Sequence, residues 1–293
     1  MFVKRIDTDT LVIGAPAKIN LFLQVLNRRP DGYHNINSIF QAVSLFDRLR
    51  ITRTKEKRFD LQIDGDYSLT SGPENLVTKA WNLMSDRYHL DGGLKVHLEK
   101  NIPIGAGLGG GSADGAAVIL ACNILHDIGL DRPRLAARGA EIGSDLPFFF
   151  SGGQAIVSGR GEKVTPVTLP IDYWLLLVTP RFQVSTAQSY AALSLPLTSD
   201  TNPVSLKYCR TADELIESLQ LAVNDFERYH LISYPEIKQI RDELLTGGAC
   251  LARMTGSGPT VFGIYKQAPD TLWERLNDKG HWLVNSVRPI TLP

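Results

Sequence analysis

Apolar and polar positions along the first half predict strands and helices in mixed order. Leu11 to Leu26 is apolar and extended in character. It reads as a strand, a short break at Ala15-Pro16, and a second strand that carries Lys18 and Asn20. Asp31-Gly32-Tyr33-His34 is a turn by its Asp-Gly pair. Leu49 to Ile63 predicts a hairpin with its tip in a charged stretch. Asn75 to Tyr88 has helical spacing at Leu76, Ala80, Leu83, Met84 and Arg87. Leu94, Val96 and Leu98 alternate with Lys95, His97 and Glu99, the pattern of a half-buried strand. Ser112 to Ile128 is a helix, apolar at Ala116, Ala117, Ile119, Leu120, Ile124 and Leu125. Arg132 to Ile142 is another, stopped by Gly143, and Gln154 to Ser158 is a strand.

The stretch Gly159 to Leu169 is rich in glycine, charge and proline, which places a division there, with one domain over 1–160 and a second over 161–293. The second half reads as a strand (Tyr173 to Thr179), a helix (Thr186 to Ala192), a polar loop (Pro196 to Leu206), two or more helices and a strand (Cys250 to Met254). A turn at Gly256-Ser257-Gly258-Pro259 leads into another strand (Thr260 to Tyr265), followed by a helix (Asp270 to Asp278) and a last strand (Trp282 to Val287). Strands and helices mix without regular β-α-β alternation, so the expected class is α+β rather than a doubly wound sheet.

Composition narrows the function. Hydrophobic residues make up 43% and charged residues 21%, the balance of an ordinary globular chain. The formal net charge is zero, which argues against nucleic-acid or membrane-surface partners, since both demand a basic excess. The basic run Arg48 to Arg58 has no interleaved aromatic before Phe59 and reads as a solvated strand and turn. The three cysteines, Cys122, Cys209 and Cys250, form no C-x-x-C pair, and the six histidines show no H-x-x-x-H spacing. Neither a disulfide framework nor a transition-metal site is indicated. Met1 to Thr10 reads as neither signal nor transit peptide, and no apolar run reaches the roughly 18 residues of a membrane helix, so the expected compartment is the cytoplasm.

The candidate chemistry lies in Pro103-Ile104-Gly105-Ala106-Gly107-Leu108-Gly109-Gly110-Gly111-Ser112, between a strand and a helix. Glycine costs conformational entropy on folding, so five glycines in an ordered connection call for a reason. Close approach of backbone N–H groups to an anion is one, and the helix N-terminus adds free N–H groups and the positive end of its dipole. Ser112 would cap that helix or turn its hydroxyl to phosphate or magnesium. A flexible surface loop is the plain alternative. Gly105, Gly107 and Gly110 satisfy G-x-G-x-x-G, but a dinucleotide fold needs an acidic second-strand end about 20 residues on, where Leu130-Asp131-Arg132-Pro133 forms a turn between helices. No G-K-[ST] follows the glycines, which excludes a Walker A loop. The H-R-D and D-F-G stretches of protein kinases are absent. On these residues Gly110→Val is expected to weaken binding of that anion by placing a Cβ in its site.

Pro103 to Ser112 with Ala113 and Asp114 resembles the second motif of the GHMP kinases, in the variant with three successive glycines where most relatives carry serines. Ala15 to Leu23 (A-P-A-K-I-N-L-F-L), Asp31 to His34, Gly143 to Phe149 (G-S-D-L-P-F-F) and Met254 to Gly263 (M-T-G-S-G-P-T-V-F-G) match the same family in order. Glu74 to Leu76 and Asn224 to Glu227 are smaller matches. One departure is Pro259, where relatives often carry alanine. The resemblance implies a two-domain GHMP kinase fold, with a ribosomal protein S5 domain 2-like N-terminal domain and a GHMP kinase C-terminal domain. It implies transfer of the γ-phosphate of ATP, with Mg2+, to the 2-hydroxyl of 4-diphosphocytidyl-2-C-methyl-D-erythritol, a step of the non-mevalonate route to isoprenoid precursors.

The implied roles each stand beside a structural alternative. Asp145 is the implied base, and by its position before Leu146-Pro147 it is also a good N-cap. Lys18 is its implied partner, and otherwise an outward-facing strand residue. Asn20 shares the face of Lys18 and is implied to touch substrate. Tyr33 and His34 are implied to hold the cytosine, with Tyr190 on its other side and Thr186 a further contact, whereas Tyr190 alone would read as a core aromatic. Lys100, Asn75 and Leu76 are implied nucleotide contacts, Lys100 being otherwise an exposed strand end. Gly256 and Ser257 are implied to bring the second domain to the substrate, and Ser112 is the best candidate for a magnesium contact. A GHMP kinase for mevalonate-type, homoserine or sugar substrates is the nearest rival, and D-G-Y-H with the triple glycine argues against it. A non-catalytic nucleotide sensor is disfavoured by Lys18 and Asp145 together, and a nicotinamide oxidoreductase is a distant third.

Overall fold

The computed structural model describes residues 1–65, 70–193 and 209–293, which build two β-sheets with helices packed on them. The polar loop expected over Pro196 to Leu206 lies outside the described residues. The first sheet holds β1 (Phe2–Arg5), β2 (Thr10–Arg28), β3 (His34–Thr54), β4 (Phe59–Asp64), β5 (Gly93–Glu99), β6 (Gln154–Gly159) and β7 (Lys163–Pro166). Its order is β1-β2-β3-β5-β4, with β6 paired to β3 and β7 to β6. The first sheet therefore runs on through Pro166 before the chain crosses to the second.

β2 is one continuous strand. The break expected at Ala15-Pro16 is a shift of register against β3 between Pro16 and Ala17, and a second shift follows between Asn20 and Phe22. Proline cannot donate to the ladder, and a bulge absorbs that loss while it bends the strand. Ala15 through Val25 are all buried, so the bend carries Lys18 and Asn20 into the interior.

The hairpin expected over Leu49 to Ile63 does not close. β5 lies between its two arms, antiparallel to β3 and parallel to β4. Parallel neighbours need a crossover, and α1 (Leu76–Tyr88) supplies it. α2 (Gly110–Leu125) packs on α1 and on β2, while α3 (Arg132–Ala140) leads to a 3-10 turn at Leu146–Phe150. The second sheet has the order β11-β8-β10-β9, all antiparallel: β8 (Trp174–Thr179), β9 (Leu251–Met254), β10 (Val261–Tyr265) and β11 (Leu283–Val287). Its helices are α4 (Thr186–Ala191), α5 (Ala212–Gln220), α6 (Glu227–Ser233), α7 (Pro235–Thr246) and α8 (Asp270–Asp278).

Alternation along β8 explains how the sheets join. Leu175 and Leu177 share a core with Ile19, Leu21, Ile39 and Val43 of the first sheet, while Leu176 and Val178 belong to the core that contains Ile237 and Ile240 of α7. A strand buried on both faces reads as a continuous apolar run, as Trp-Leu-Leu-Leu-Val does here. After β11 the chain returns to the first sheet, where Ile290 N–H donates to Ala42 O (2.9 Å) and Leu292 N–H to Gly152 O (2.8 Å). Among the described residues no helix is long and apolar enough to cross a membrane.

Candidate active site

The glycine loop is pinned along its back. Lys18 N–H donates to Leu108 O at 2.9 Å, tying the loop to β2, and Thr260 N–H reaches Ala106 O at 3.4 Å from the second sheet. Ala106 and Leu108 are buried in the core between the sheets, so their side chains hold the loop rather than face a ligand. Gly107 has φ 79°, and a Cβ there would stand 2.2 Å from Thr255 O. Only glycine permits this backbone-on-backbone approach.

The helix after the loop begins two residues earlier than expected. Gly109 is the N-cap, at φ 69°, with no side-chain cap, and Ser112 lies inside the first turn. Ser112 is therefore not the capping residue; it is the third residue of the helix, in the turn whose N–H groups lack helical partners. The reason given for Gly110 also changes. A Cβ on Gly110 would meet Ile102 Cγ2 and Lys100 Nζ, both at 2.8 Å, beneath the loop and not on its open side.

Lys100 is neither an exposed strand end nor a free cation. It is buried and bonded to Asp47 and, at 2.9 Å, to Asp114. Burial works against its charge, yet the two carboxylates hold its pKa above the ordinary lysine value. Asp47 also accepts the N–H groups of Asn101 (2.6 Å) and Ile102 (2.8 Å), fixing the chain just before the loop. Asn75 caps α1, accepting Val77 N–H at 2.9 Å, and Leu76 lies against the α2 turn at Gly111. Pro103 faces a separate small cavity with Asn101 and Arg181, and Ile104 is half-buried at the start of the loop.

Lys18 is 3% exposed, which removes the outward-facing alternative. Its ammonium donates to Asn20 Oδ1 (2.8 Å) and Gly107 O (3.1 Å), stands 3.5 Å from Asp145 Oδ2, and lies 4.5 Å above the Phe40 ring. Burial lowers its pKa, and the Asp145 carboxylate opposes that shift. Asp145 precedes the 3-10 turn but its side chain makes no cap hydrogen bond, so the capping alternative fails and the carboxylate points to Lys18. Asn20 is oriented by Ser38, whose hydroxyl accepts from Asn20 Nδ2 at 3.0 Å.

Two adjoining cavities meet at Asp145. The smaller, about 210 Å³, is lined by Lys18, Asn20, Gly105, Gly107, Gly109, Gly256 and Ser257. The larger, about 800 Å³, is lined by Tyr33, His34, Ser144 and Arg28. Asp145, Arg160, Thr186 and Tyr190 border both. The cytosine pocket expected between Tyr33 and Tyr190 is arranged differently. His34 stacks directly on Tyr190 (ring centroids 4.9 Å, 20° between planes), and Tyr33 lies under the Arg160 guanidinium at 5.3 Å. Burial and the nearby Asp145 push the Tyr190 hydroxyl up to about 12, and burial holds His34 below the ordinary histidine value. Thr186 bonds to Ser257 at 3.0 Å, closing the wall between α4 and the β9–β10 turn.

Two residues at this site were given no individual role from the sequence, although Thr255 lies inside the matched stretch Met254 to Gly263. Arg160 sits in a glycine-flanked turn after β6, where an arginine reads as surface charge. Thr255 is a lone hydroxyl whose partners, Asn20 and Gly107, are remote in sequence. The small match Asn224 to Glu227 acquires a structural account. Asn224 Nδ2 donates to Met254 O (2.7 Å) and Gly256 O (2.9 Å), and Glu227 accepts Met254 N–H at 2.8 Å. These bonds brace the turn that carries Gly256 and Ser257.

Comparison with known proteins agrees with this geometry. The family model "GHMP kinases N terminal domain" matches residues 75–153, and "GHMP kinases C terminal" matches residues 206–281. A 4-diphosphocytidyl-2-C-methyl-D-erythritol kinase of Geobacter metallireducens is 36% identical over 96% of this chain and 99% of its own length. One from Moorella thermoacetica is 41% identical over 87% of this chain and 90% of its own. A crystal structure of 4-(cytidine 5'-diphospho)-2C-methyl-D-erythritol kinase superposes with a TM-score of 0.78 at 32% identity, covering 94% of this chain and 99% of that one. With its two-domain architecture, its glycine loop and its matched sequence, the chain belongs to the GHMP kinase family.

Proposed function

We propose that the protein transfers the γ-phosphate of ATP to the 2-hydroxyl of 4-diphosphocytidyl-2-C-methyl-D-erythritol. The carrying observation is the Lys18–Asp145 pair, placed where the cavity beside the glycine loop meets the cavity of Tyr33, His34 and Tyr190. The extensive identity to kinases named for that substrate supports the choice of acceptor. Residues 1–160 supply the loop, the pair and the Tyr33-His34 wall; residues 161–293 supply Thr186, Tyr190, Gly256 and Ser257. The compartment proposed with this reaction is the cytoplasm, where ATP is available.

Asp145 accepts the proton of the 2-hydroxyl as that oxygen bonds to the γ-phosphorus; the bond from phosphorus to the β–γ bridging oxygen breaks, and ADP leaves. Phosphoryl transfer passes through a loose transition state, so positioning and charge outweigh strong activation of the nucleophile. Lys18, held within 3.5 Å of the carboxylate, steadies the negative charge on the transferring group. The N–H groups of Gly110, Gly111 and Ser112 at the start of α2 face the phosphates. Asn75 and Leu76, in the first turn of α1 beside Gly111, border the nucleoside. Lys100 acts from beneath the loop. On the acceptor side, Asn20 contacts the polyol, Thr186 and Ser257 flank it, and the cytosine lies among Tyr33, His34 and Tyr190. Arg160 borders both cavities and suits the diphosphate by charge.

The residues fit a magnesium ion that arrives with the nucleotide. Among the described residues no group of three or more His, Cys, Asp or Glu is arranged to hold a metal, whereas the half-buried Ser112 hydroxyl stands in the first turn of α2. Mg2+ keeps several waters and takes few protein ligands when it is bound through phosphates. When bound, it neutralises charge on the phosphate oxygens.

Product analysis tests the proposal. With γ-labelled ATP, the label should appear in a monoester at the 2-hydroxyl, one per ADP formed. Label recovered only as inorganic phosphate would refute it.

A further inference from the structure

Three acceptors surround the Lys18 ammonium: Asn20 Oδ1 at 2.8 Å, Gly107 O at 3.1 Å and Asp145 Oδ2 at 3.5 Å. Asn20 and Gly107 take two of the ammonium's three N–H donors, and Asp145 faces it as an ion pair. The Thr255 hydroxyl faces two of the same acceptors. Its oxygen stands 3.3 Å from Asn20 Oδ1 and 3.4 Å from Gly107 O, while it accepts the Asn20 N–H at 2.9 Å. Thr255 and Asn20 are fully enclosed, at 0% and 1% exposure. A hydroxyl has one proton to give, and both distances are at the long end of a hydrogen bond. The two donors thus compete for one pair of acceptors, and Lys18 holds the shorter bonds to both.

This arrangement has a consequence for phosphoryl transfer. If Lys18 keeps Asp145 while it turns to an oxygen of the transferring group, it gives up Gly107 O or Asn20 Oδ1. The half-buried Gly107 O or the buried Asn20 Oδ1 then loses its charged donor, at a cost in free energy. We propose that Thr255 is a positioning residue for Lys18: its hydroxyl proton takes over the acceptor that Lys18 gives up, so the lysine can turn to the phosphoryl group at little cost. The exchange moves no proton between residues; Thr255 keeps its hydrogen and tightens one existing contact. The location suits that task. Thr255 follows directly on β9, and its carbonyl lies so close to the loop that Gly107 cannot carry a Cβ, so the hydroxyl is held in register with both acceptors.

The inference rests on the proposed reaction and on Lys18 acting in it. The test compares Thr255→Val, which removes the hydroxyl at similar volume, with Thr255→Ser, which keeps it. Thr255→Val should lower kcat about tenfold or more while KM for ATP stays within about twofold, and Thr255→Ser should stay close to the wild-type kcat. Should the valine variant fail to fold, Thr255→Ala replaces it in the same comparison, with thermal unfolding as the check on the native state. Three results would overturn the role: unchanged kcat in the variant lacking the hydroxyl, equal loss in the serine variant, or a change confined to KM for ATP. Lys18→Met separates this failure from that of the underlying reading. Full activity in Lys18→Met removes Lys18 from catalysis, whereas an inactive Lys18→Met beside a fully active Thr255→Val removes only Thr255.

Discussion

At the residue scale the site turns on a buried cation that its surroundings make useful. Lys18 loses hydration on burial and recovers stabilisation from Asn20, Gly107 and Asp145. Asp145→Asn keeps the size and removes the base, so turnover should fall at least about a hundredfold while ATP binding, followed by equilibrium titration, is retained. A near-wild-type rate would show that the carboxylate is dispensable. Lys18 and Asn20 were legible because two polar residues at i and i+2 in an apolar strand face one side. Their burial was not, because it depends on the bulge at Pro16/Ala17 and on the second sheet. Thr255 lay in a matched motif, but its contacts were not legible, because its partners come from 148 and 235 residues away.

At the element scale the glycine loop is held more from behind than the sequence suggested. Gly107→Ala should be more damaging than its size implies, since the new Cβ meets Thr255 O at 2.2 Å and φ is 79°. A raised KM for ATP together with a lower melting temperature is the expected pair of changes. Gly110→Val is still expected to weaken ATP binding, but through a clash with Ile102 and the buried Lys100 that displaces the loop. The loop's place between a strand and a helix was readable from its glycines and the apolar pattern after it. The Asp47–Lys100–Asp114 cluster was not, because Asp47 lies on a strand whose pairing with β5 interrupts the expected hairpin.

α4 and α6 offer a second test at this scale. His230 of α6 is fully buried, bonds to Ser189 of α4 at 3.1 Å, and is lowered from 6.5 to about 4 by burial. As pH falls through 6.5 the unfolded chain takes up a proton at this histidine before the folded one does. Its contribution to stability is therefore full above pH 6.5 and is lost as pH falls toward 4, on the order of 2 kcal/mol. Urea unfolding at pH 7 and pH 5 should show a larger acid loss in the wild type than in His230→Gln.

At the scale of the molecule the two sheets share a core, and the site lies where they meet. Leu175 and Leu177 of β8 face Ile19 and Leu21 of β2, so the second half of the chain determines how the Lys18 strand sits. The returning tail adds to this, with Ile290 and Leu292 bonded to the first sheet. Deleting residues 288–293 should lower the melting temperature by several degrees, since those backbone bonds and the buried Leu292 are lost together. The α+β class was readable from the mixed order of elements. The tail's return was not, because no local pattern marks a segment whose partners, Ala42 and Gly152, lie so far back in the chain.

A single site that joins an ATP cradle to a cytidine-bearing acceptor should turn over only an alcohol that carries the cytidine diphosphate. Steady-state ADP release, measured with 4-diphosphocytidyl-2-C-methyl-D-erythritol, mevalonate and homoserine in parallel, tests it most directly. Saturable turnover is expected with the first and at most a trace with the other two. Faster turnover of mevalonate or homoserine, or ATP binding without turnover of any acceptor, would contradict it.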